Sequence, residues 1–402
     1  MIARHLTKTL KEVARDFPVV TITGPRQSGK TTLVQAAFPR YRYETLEDPE
    51  SREFATEDPR GFLDQFRGRV ILDEVQRVPD LFSYIQGIVD REDRAGRFVL
   101  SGSQDFLLLN RISQSLAGRC AVLRLLAFSR AEIVGRRAKD LAALATRRRT
   151  TASTPERAGE ELFSVLYTGG YPRIHDKGLE PQRWLANYYQ TYLERDVRDL
   201  LNVGDLEGFG RFVRLCAGRS GQLLNASSLA ADAGVSHTTV RRWLSILEAS
   251  FIVYLLRPHF RNFNKRLVKS PKLYFLDTGL LCYLLRVQGV DNLISHPARG
   301  AVFETWAVSE ALKNAYNRGS EPDLYFWRDS TGHEIDLLID RGTTLIPIEI
   351  KSGQTVASDF FTSLDYWRTL AERPEAAAAL VYGWTSSYRR QGVSVISWSD
   401  WG

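Results

Sequence analysis

The sequence predicts an α/β chain of several domains: a parallel-sheet domain first, a helical middle, and an α+β sheet domain last. Three observations carry that expectation. A strand, a glycine-bearing loop and a helix follow one another in "VVTITGPRQSGKTTLVQAAF" at residues 19–38. Short β-branched strands then alternate with helical stretches to about residue 135, the pattern of a parallel sheet. Late in the chain, "ARGAVFETWAVSEALKNAY" reads as an amphipathic helix, followed by strand runs around Leu324–Trp327, His333–Ile339 and Leu345–Lys351.

At 402 residues the chain is too long for one ordinary core. A content of 44% hydrophobic and 25% charged residues is globular rather than disordered. The net charge of +7 suits a polyanionic partner. Three dispersed cysteines, Cys120, Cys216 and Cys282, form neither a disulfide framework nor a metal-binding CxxC pattern, so a reducing cytoplasm is expected. The opening "MIARHLTKTLKEV" reads as an amphipathic helix without a secretory apolar core, and no run is long enough to span a bilayer.

Gly24–Thr31 matches GxxxxGK[ST] between a strand and a helix. In that context glycines let backbone N–H groups wrap phosphates, the helix start favours anions, and the lysine reaches the β/γ-phosphates. Gly24, Pro25, Arg26, Gln27, Ser28, Gly29, Lys30, Thr31 and Thr32 are therefore expected to hold ATP, with the Thr31 hydroxyl on Mg²⁺. A second apolar strand, Val70–Leu72, runs into Asp73 and Glu74. An acid at a strand's carboxyl end can hold the Mg²⁺ shell, and its neighbour can orient the attacking water. Asp73 takes the metal role and Glu74 the catalytic one. A third strand, Phe98–Leu100, emerges into Ser101, Ser103 and Gln104, of which Ser103 is the favoured γ-phosphate or water contact; a loop cap is the competing reading. Arg119 is the candidate arginine finger or nucleotide sensor, against a plain surface role.

The segments "TGPRQSGKTTL", "ILDEVQ" and "LSGSQ", in that order, resemble a prokaryotic group of AAA+ ATPases. The resemblance implies an ATPase working at subunit interfaces, hence a homo-oligomer and often a ring. Residues 136–158, arginine- and alanine-rich, read as a surface connection. "YLERDVRDL" is helical, with Glu194/Arg198 and Arg195/Asp199 at ion-pair spacing, and it too is similar to that group.

"NASSLAADAGVSHTTVRRWLSILEASFIVYLL" reads as a helix-turn-helix: Ser227–Ala233, a turn at Gly234, then a second helix capped by Ser236. His237, Thr238, Arg241 and Arg242 fall at its exposed recognition end. The following "RPHFRNFNKRLVKSPKLYFLD" reads as a basic wing, with Arg261, Lys265 and Arg266 on phosphates. Winged helices also serve as protein interfaces, so that alternative stays open.

In the C-terminal part, Asp336, Glu349 and Lys351 share a hairpin, with Glu304 on the preceding helix. Asp336 and Glu349 could bind Mg²⁺, and Lys351 could orient water or stabilise developing charge. The order Glu304, Asp336, Glu349-x-Lys351 resembles the PD-(D/E)xK restriction-endonuclease-like core, as does the C-terminal half of the same ATPase group. The competing reading is an inherited sheet whose charges pair with one another.

Four domains are expected: residues 1–140, a P-loop AAA+ domain; 141–220, a helical linker or lid; 221–280, a winged helix; 281–402, a nuclease-like domain. The leading function is a DNA-directed ATPase motor or remodeller. Its alternatives are an ATP-gated nuclease in defence or repair, and an ATP-dependent switch or scaffold for protein partners.

Overall fold

The computed structural model describes residues 2–92, 94–103, 115–146, 160–192, 197, 204–259, 268–372 and 376–402. Gln104, Glu194, Arg195, Arg198, Asp199, Arg261, Lys265 and Arg266, all singled out above, lie outside the described residues. The chain divides into two compact units: Met1–Phe128 with Ala249–Phe251 and Ala315–Glu321, and the remainder. Among the described residues, no helix is long and apolar enough to cross a membrane.

The first unit is built on β1 (Val19–Thr23), β2 (Arg42–Thr45), β3 (Val70–Asp73), β4 (Phe98–Gly102) and β5 (Cys120–Arg124). They form one parallel sheet in the order β2-β3-β4-β1-β5. All five residues of β1 are buried, as a central strand covered on both faces requires. On one side α1 (Leu6–Asp16) and α2 (Lys30–Ala37) lay Leu6, Leu10, Leu33 and Val34 against Val20, Ile22 and Val99. On the other, Phe62, Leu63, Leu81, Phe82 and Ile85 pack with Val19, Leu72 and Leu100. These come from α4 (Pro59–Asp64) and α5 (Leu81–Glu92). Both α4 and the preceding α3 (Pro49–Glu57) start with a proline behind an aspartate cap. Asp48 accepts from the Glu50 amide and Asp58 from the Gly61 amide, satisfying donors that a helix start leaves free. Because β4 lies between β1 and β3, Thr23 pairs with Gly102, and Ser101 with Asp73. The loop after β1 and the acids after β3 thus open at the same end of the sheet.

In the second unit, Phe209 and Phe212 of helix Leu206–Ala217 pack around Trp243 of helix His237–Ala249. Helix Ala226–Ala233 ends at Gly234, whose φ of 71° is the left-handed turn that favours glycine. Ser236 Oγ then accepts from the Thr239 amide, as a cap does. β6 (Val253–Leu256) and β7 (Lys272–Phe275) follow as an antiparallel pair. Beyond the end of β6, the Phe326 amide donates to Arg257 O and the His259 amide to Phe326 O, tying this segment to β8.

The larger sheet contains β8 (Leu324–Arg328), β9 (Glu334–Asp340), β10 (Leu345–Lys351), β11 (Ala379–Tyr382), β12 (Tyr388–Arg390) and β13 (Val393–Ser397). Its order is β12-β13-β11-β10-β9-β8, antiparallel from β8 to β10 and parallel from β10 through β11 to β13. Leu364 and Trp367 of helix Thr362–Leu370 pack with Ile335, Leu338 and Leu380.

The expected surface connection at 136–158 is partly something else. Residues Leu141–Thr146 form a helix with Leu141, Ala142 and Ala145 buried. Alanine favours helix, and its small side chains fit where a larger period of apolar residues would be needed to signal burial.

Candidate active site

The carboxyl end of the parallel sheet gathers the P-loop residues and the acids of β3. Gly24 has a φ of 155°, and a Cβ there would lie 2.1 Å from Leu125 O, so only glycine lets the chain turn away from β5. Gln27 adopts φ 63° and Gly29, capping α2, φ 88°. Lys30 is buried, and its Nζ donates to Gly24 O at 2.9 Å and Pro25 O at 2.8 Å. Ser28 is buried with its Oγ unpartnered among the described residues, whereas Thr32 is exposed and Arg26 half-buried.

Asp73 is the fixed point of this end. Its Oδ2 accepts from Thr31 Oγ1 at 2.7 Å and from the Tyr43 hydroxyl at 3.0 Å. Its Oδ1 accepts from Ser101 Oγ and, at 3.1 Å, from the Glu74 amide. Burial, and the charge of Asp73, push the Tyr43 hydroxyl up to about 12, so it stays a donor. Glu74 sits in left-handed backbone at φ 54°, a strained position for a residue with a side chain. Gln76 Nε2 donates to Glu74 Oε2, with Ser103 Oγ 3.5 Å from both. Thr31, Asp73, Glu74 and Ser103 therefore come together, as the sequence suggested.

Arg119 does not join them. It precedes Cys120, which pairs with Val19 at the amino ends of the strands, the opposite end from the loop. There its guanidinium ion-pairs with Asp90 and donates to Ala117 O. A strand's length, roughly 17 Å, separates that end from the P-loop.

A second polar cluster lies in the other unit. Pairing of Ile348 with Leu337 brings Glu349 opposite Asp336 in the next register position. Every residue of β10 before Lys351 is buried, including Glu349 at 5% exposure. Flanking layers cover both faces of this interior strand. Asp336 Oδ2 accepts from the Ile350 amide at 2.9 Å and lies 3.6 Å from Lys351 Nζ. Lys351 also ion-pairs with Glu349 Oε1, while Glu349 Oε2 is buried without a partner among the described residues. Burial, reinforced by Asp336, moves the Glu349 carboxyl from near 4.5 up to about 8.

Glu304 completes this cluster through residues the sequence reading passed over. Its Oε1 accepts from Tyr274 at 2.6 Å and from Lys272 Nζ at 3.0 Å, both on β7. The same Nζ pairs with Glu334 and lies 3.9 Å from Asp336 Oδ1. Burial opposes the Lys272 charge, yet Tyr274 and the surrounding acids hold its pKa well above the ordinary value. Burial likewise raises the Glu304 carboxyl, against the pull of Lys272. Among the described residues, no group of three or more acidic, histidine or cysteine side chains is spaced to hold a metal ion. Tyr43 and Gln76 were missed at the first site, and Lys272, Tyr274 and Glu334 at the second. Lys272 and Tyr274 alternate along one strand and so share a face, but nothing local ties that face to Glu304 or β9.

His237, Thr238, Arg241 and Arg242 are all exposed on the second helix of the turn.

Residues 16–134 match the family described as AAA domain. Residues 159–291 and 299–401 match two families described as domains of unknown function, DUF8612 and DUF4143. The uncharacterized proteins Rv2008c of Mycobacterium tuberculosis and Mb2031c of Mycobacterium bovis are each 32% identical to the chain over 358 residues. Each alignment covers 88% of this chain and 74% of the relative. The chain belongs to the family of these mycobacterial proteins. Its N-terminal part is a P-loop ATPase domain of the AAA type. Among solved structures, the Walker-type ATPase PABY2304 of Pyrococcus abyssi is 14% identical with a TM-score of 0.45, over 70% of this chain and 94% of that one.

Proposed function

We propose that this protein is a Mg²⁺-dependent ATP hydrolase whose turnover acts on DNA. The observation that carries the hydrolase reading is the fixing of Asp73 by Thr31 and Ser101 beside the buried Lys30. The site fits a nucleotide: Gly24 leaves no room for a side chain, and the buried Ser28 hydroxyl has no partner among the described residues. Residues 24–32 would hold the phosphates, with Lys30 on the β/γ-phosphates and Thr31 and Asp73 on Mg²⁺. When bound, the ion neutralises charge on the phosphates. Glu74 orients water and accepts its proton, and Gln76 holds the Glu74 carboxylate in place. The family resemblance supports a homo-oligomer, in which a trans-acting arginine would complete the site.

DNA is the favoured partner because the capped helix-turn-helix presents His237, Thr238, Arg241 and Arg242 to solvent. The antiparallel β6–β7 pair that follows supports a winged helix, and the net charge of +7 suits a polyanion. The C-terminal helix and mixed sheet support a restriction-endonuclease-like fold. An ATP-gated nuclease is the second reading, favoured by Asp336, Glu349 and Lys351 meeting across β9 and β10.

The test is ATP turnover by the full chain with Mg²⁺, alone and with duplex, single-stranded or branched DNA. Lys30→Ala is expected to lose nucleotide binding, measured with a fluorescent ATP analogue. DNA-stimulated turnover without cutting supports the leading reading, and ATP-dependent cutting supports the second. Turnover indifferent to every nucleic acid would turn the proposal toward protein partners.

A further inference from the structure

The C-terminal acids are not simply a set of carboxylates near one another. Glu304 Oε1, Glu334 Oε1 and Asp336 Oδ1 all come within 4 Å of one atom, Lys272 Nζ. That lysine is only 3% exposed and comes from β7, within the segment 159–291. The carboxylates come from the separate segment 299–401. Beside them, Glu349 Oε2 is buried and accepts from nothing among the described residues. Three acids around one point describe the surroundings of a cation; here the point is taken by an ammonium, and with it in place the described carboxylates are not spaced to hold a metal ion.

We propose that Lys272 is the resident cation of this cluster, a latch by which β7 keeps a divalent ion out of the site formed by Glu304, Glu334, Asp336 and Glu349. This rests on the nuclease-like reading of the C-terminal cluster and adds to it the reason such a site would be latent. Two groups of like charge cannot share the point. Hard divalent ions take oxygen ligands at about 2.0–2.6 Å, so any such ion must displace the ammonium. The attachment of the chain after β6 to β8, through Arg257, His259 and Phe326, holds β7 in position to supply it. Among the described residues, Arg328, ion-paired to Glu334 from β8, and Lys351, beside Asp336 and Glu349, also face the cluster.

The test is Mn²⁺ binding to the full chain without nucleotide, by titration calorimetry and by the electron paramagnetic resonance signal of free Mn²⁺. Wild type is expected to show no Mn²⁺ at this cluster. Lys272→Met should gain one bound ion per chain and lose it again when Asp336→Asn is added. Should Lys272→Met be too unstable to titrate, Lys272→Met with Glu334→Gln removes one opposing charge and still leaves three carboxylates. Its melting temperature should rise by several degrees on adding Mn²⁺, with wild type unmoved. Wild type binding Mn²⁺ at this cluster, in a manner abolished by Asp336→Asn, would overturn the latch. So would folded Lys272 variants that gain no ion. Neither readout depends on ATP turnover or DNA cutting, so failure of the latch is separable from failure of the nuclease-like reading, which DNA cutting decides.

Discussion

The two polar sites of this chain organise carboxylates in opposite ways. Asp73 in the N-terminal sheet is held by three hydroxyls, from Thr31, Tyr43 and Ser101. The carboxylates of the C-terminal cluster are held by two ammonium groups, Lys272 and Lys351. A hydroxyl orients a carboxylate without supplying a charge to cancel its own, so the partners of Asp73 leave it open to an incoming cation. An ammonium supplies the opposite charge itself, so Lys272 and Lys351, with Arg328 on Glu334, counter much of the charge of the cluster from within. The difference teaches that proximity of acids alone does not make a metal site; the charge of their partners decides what can enter.

The largest expected effect is at the first site. Glu74→Gln should retain nucleotide but slow hydrolysis on the order of 10²- to 10⁴-fold, the usual worth of a positioned general base. Comparing steady-state turnover with analogue binding in one preparation separates the two steps.

Next in size is Lys272→Met. Removing one partner of a buried charge network leaves the others uncompensated, at a cost of about 3–5 kcal/mol by urea unfolding. Asp73→Asn, with its hydroxyl partners intact, should cost far less stability while weakening Mg²⁺-dependent ATP binding. If the two substitutions destabilise equally, the contrast between hydroxyl and ammonium partners collapses.

Glu349 sharpens the comparison through pH. Its carboxyl is raised from near 4.5 to about 8 by burial and by Asp336. The folded protein therefore holds a proton there that the unfolded chain releases. That contribution is fully present below about 4.5 and is lost as pH rises toward about 8. Glu349→Gln should flatten the fall in unfolding free energy across that window, read from denaturation midpoints at several pH values.

The smallest effect is expected at the helix-turn-helix. Ser236→Ala removes the cap of the exposed second helix and should cost about 1 kcal/mol, leaving basal ATP turnover unchanged.

Much of the first site was legible because its chemistry is local. Gly24, Gly29, Lys30 and Thr31 fall within one loop, and Asp73 and Glu74 end one apolar strand. Tyr43 was hidden because it reaches Asp73 only through the pairing of β2 with β3. The strands β8, β9 and β10 were read nearly to the residue, since their apolar runs are bounded by turns. What sat between them was not. Lys272 and Glu304 lie 32 residues apart and meet only through tertiary packing, for which alternation along β7 gives no partner. The burial of Glu349 was hidden for a related reason: a period of two identifies a face but not what covers it.

The most direct test of the central claim is steady-state ATP hydrolysis by wild type and Glu74→Gln side by side, with Mg²⁺, in the presence and absence of duplex DNA. The account predicts turnover by wild type that DNA accelerates, and a variant that still binds nucleotide but scarcely turns it over. Equal turnover by both proteins would contradict the assignment of Glu74, and with it the catalytic site described here.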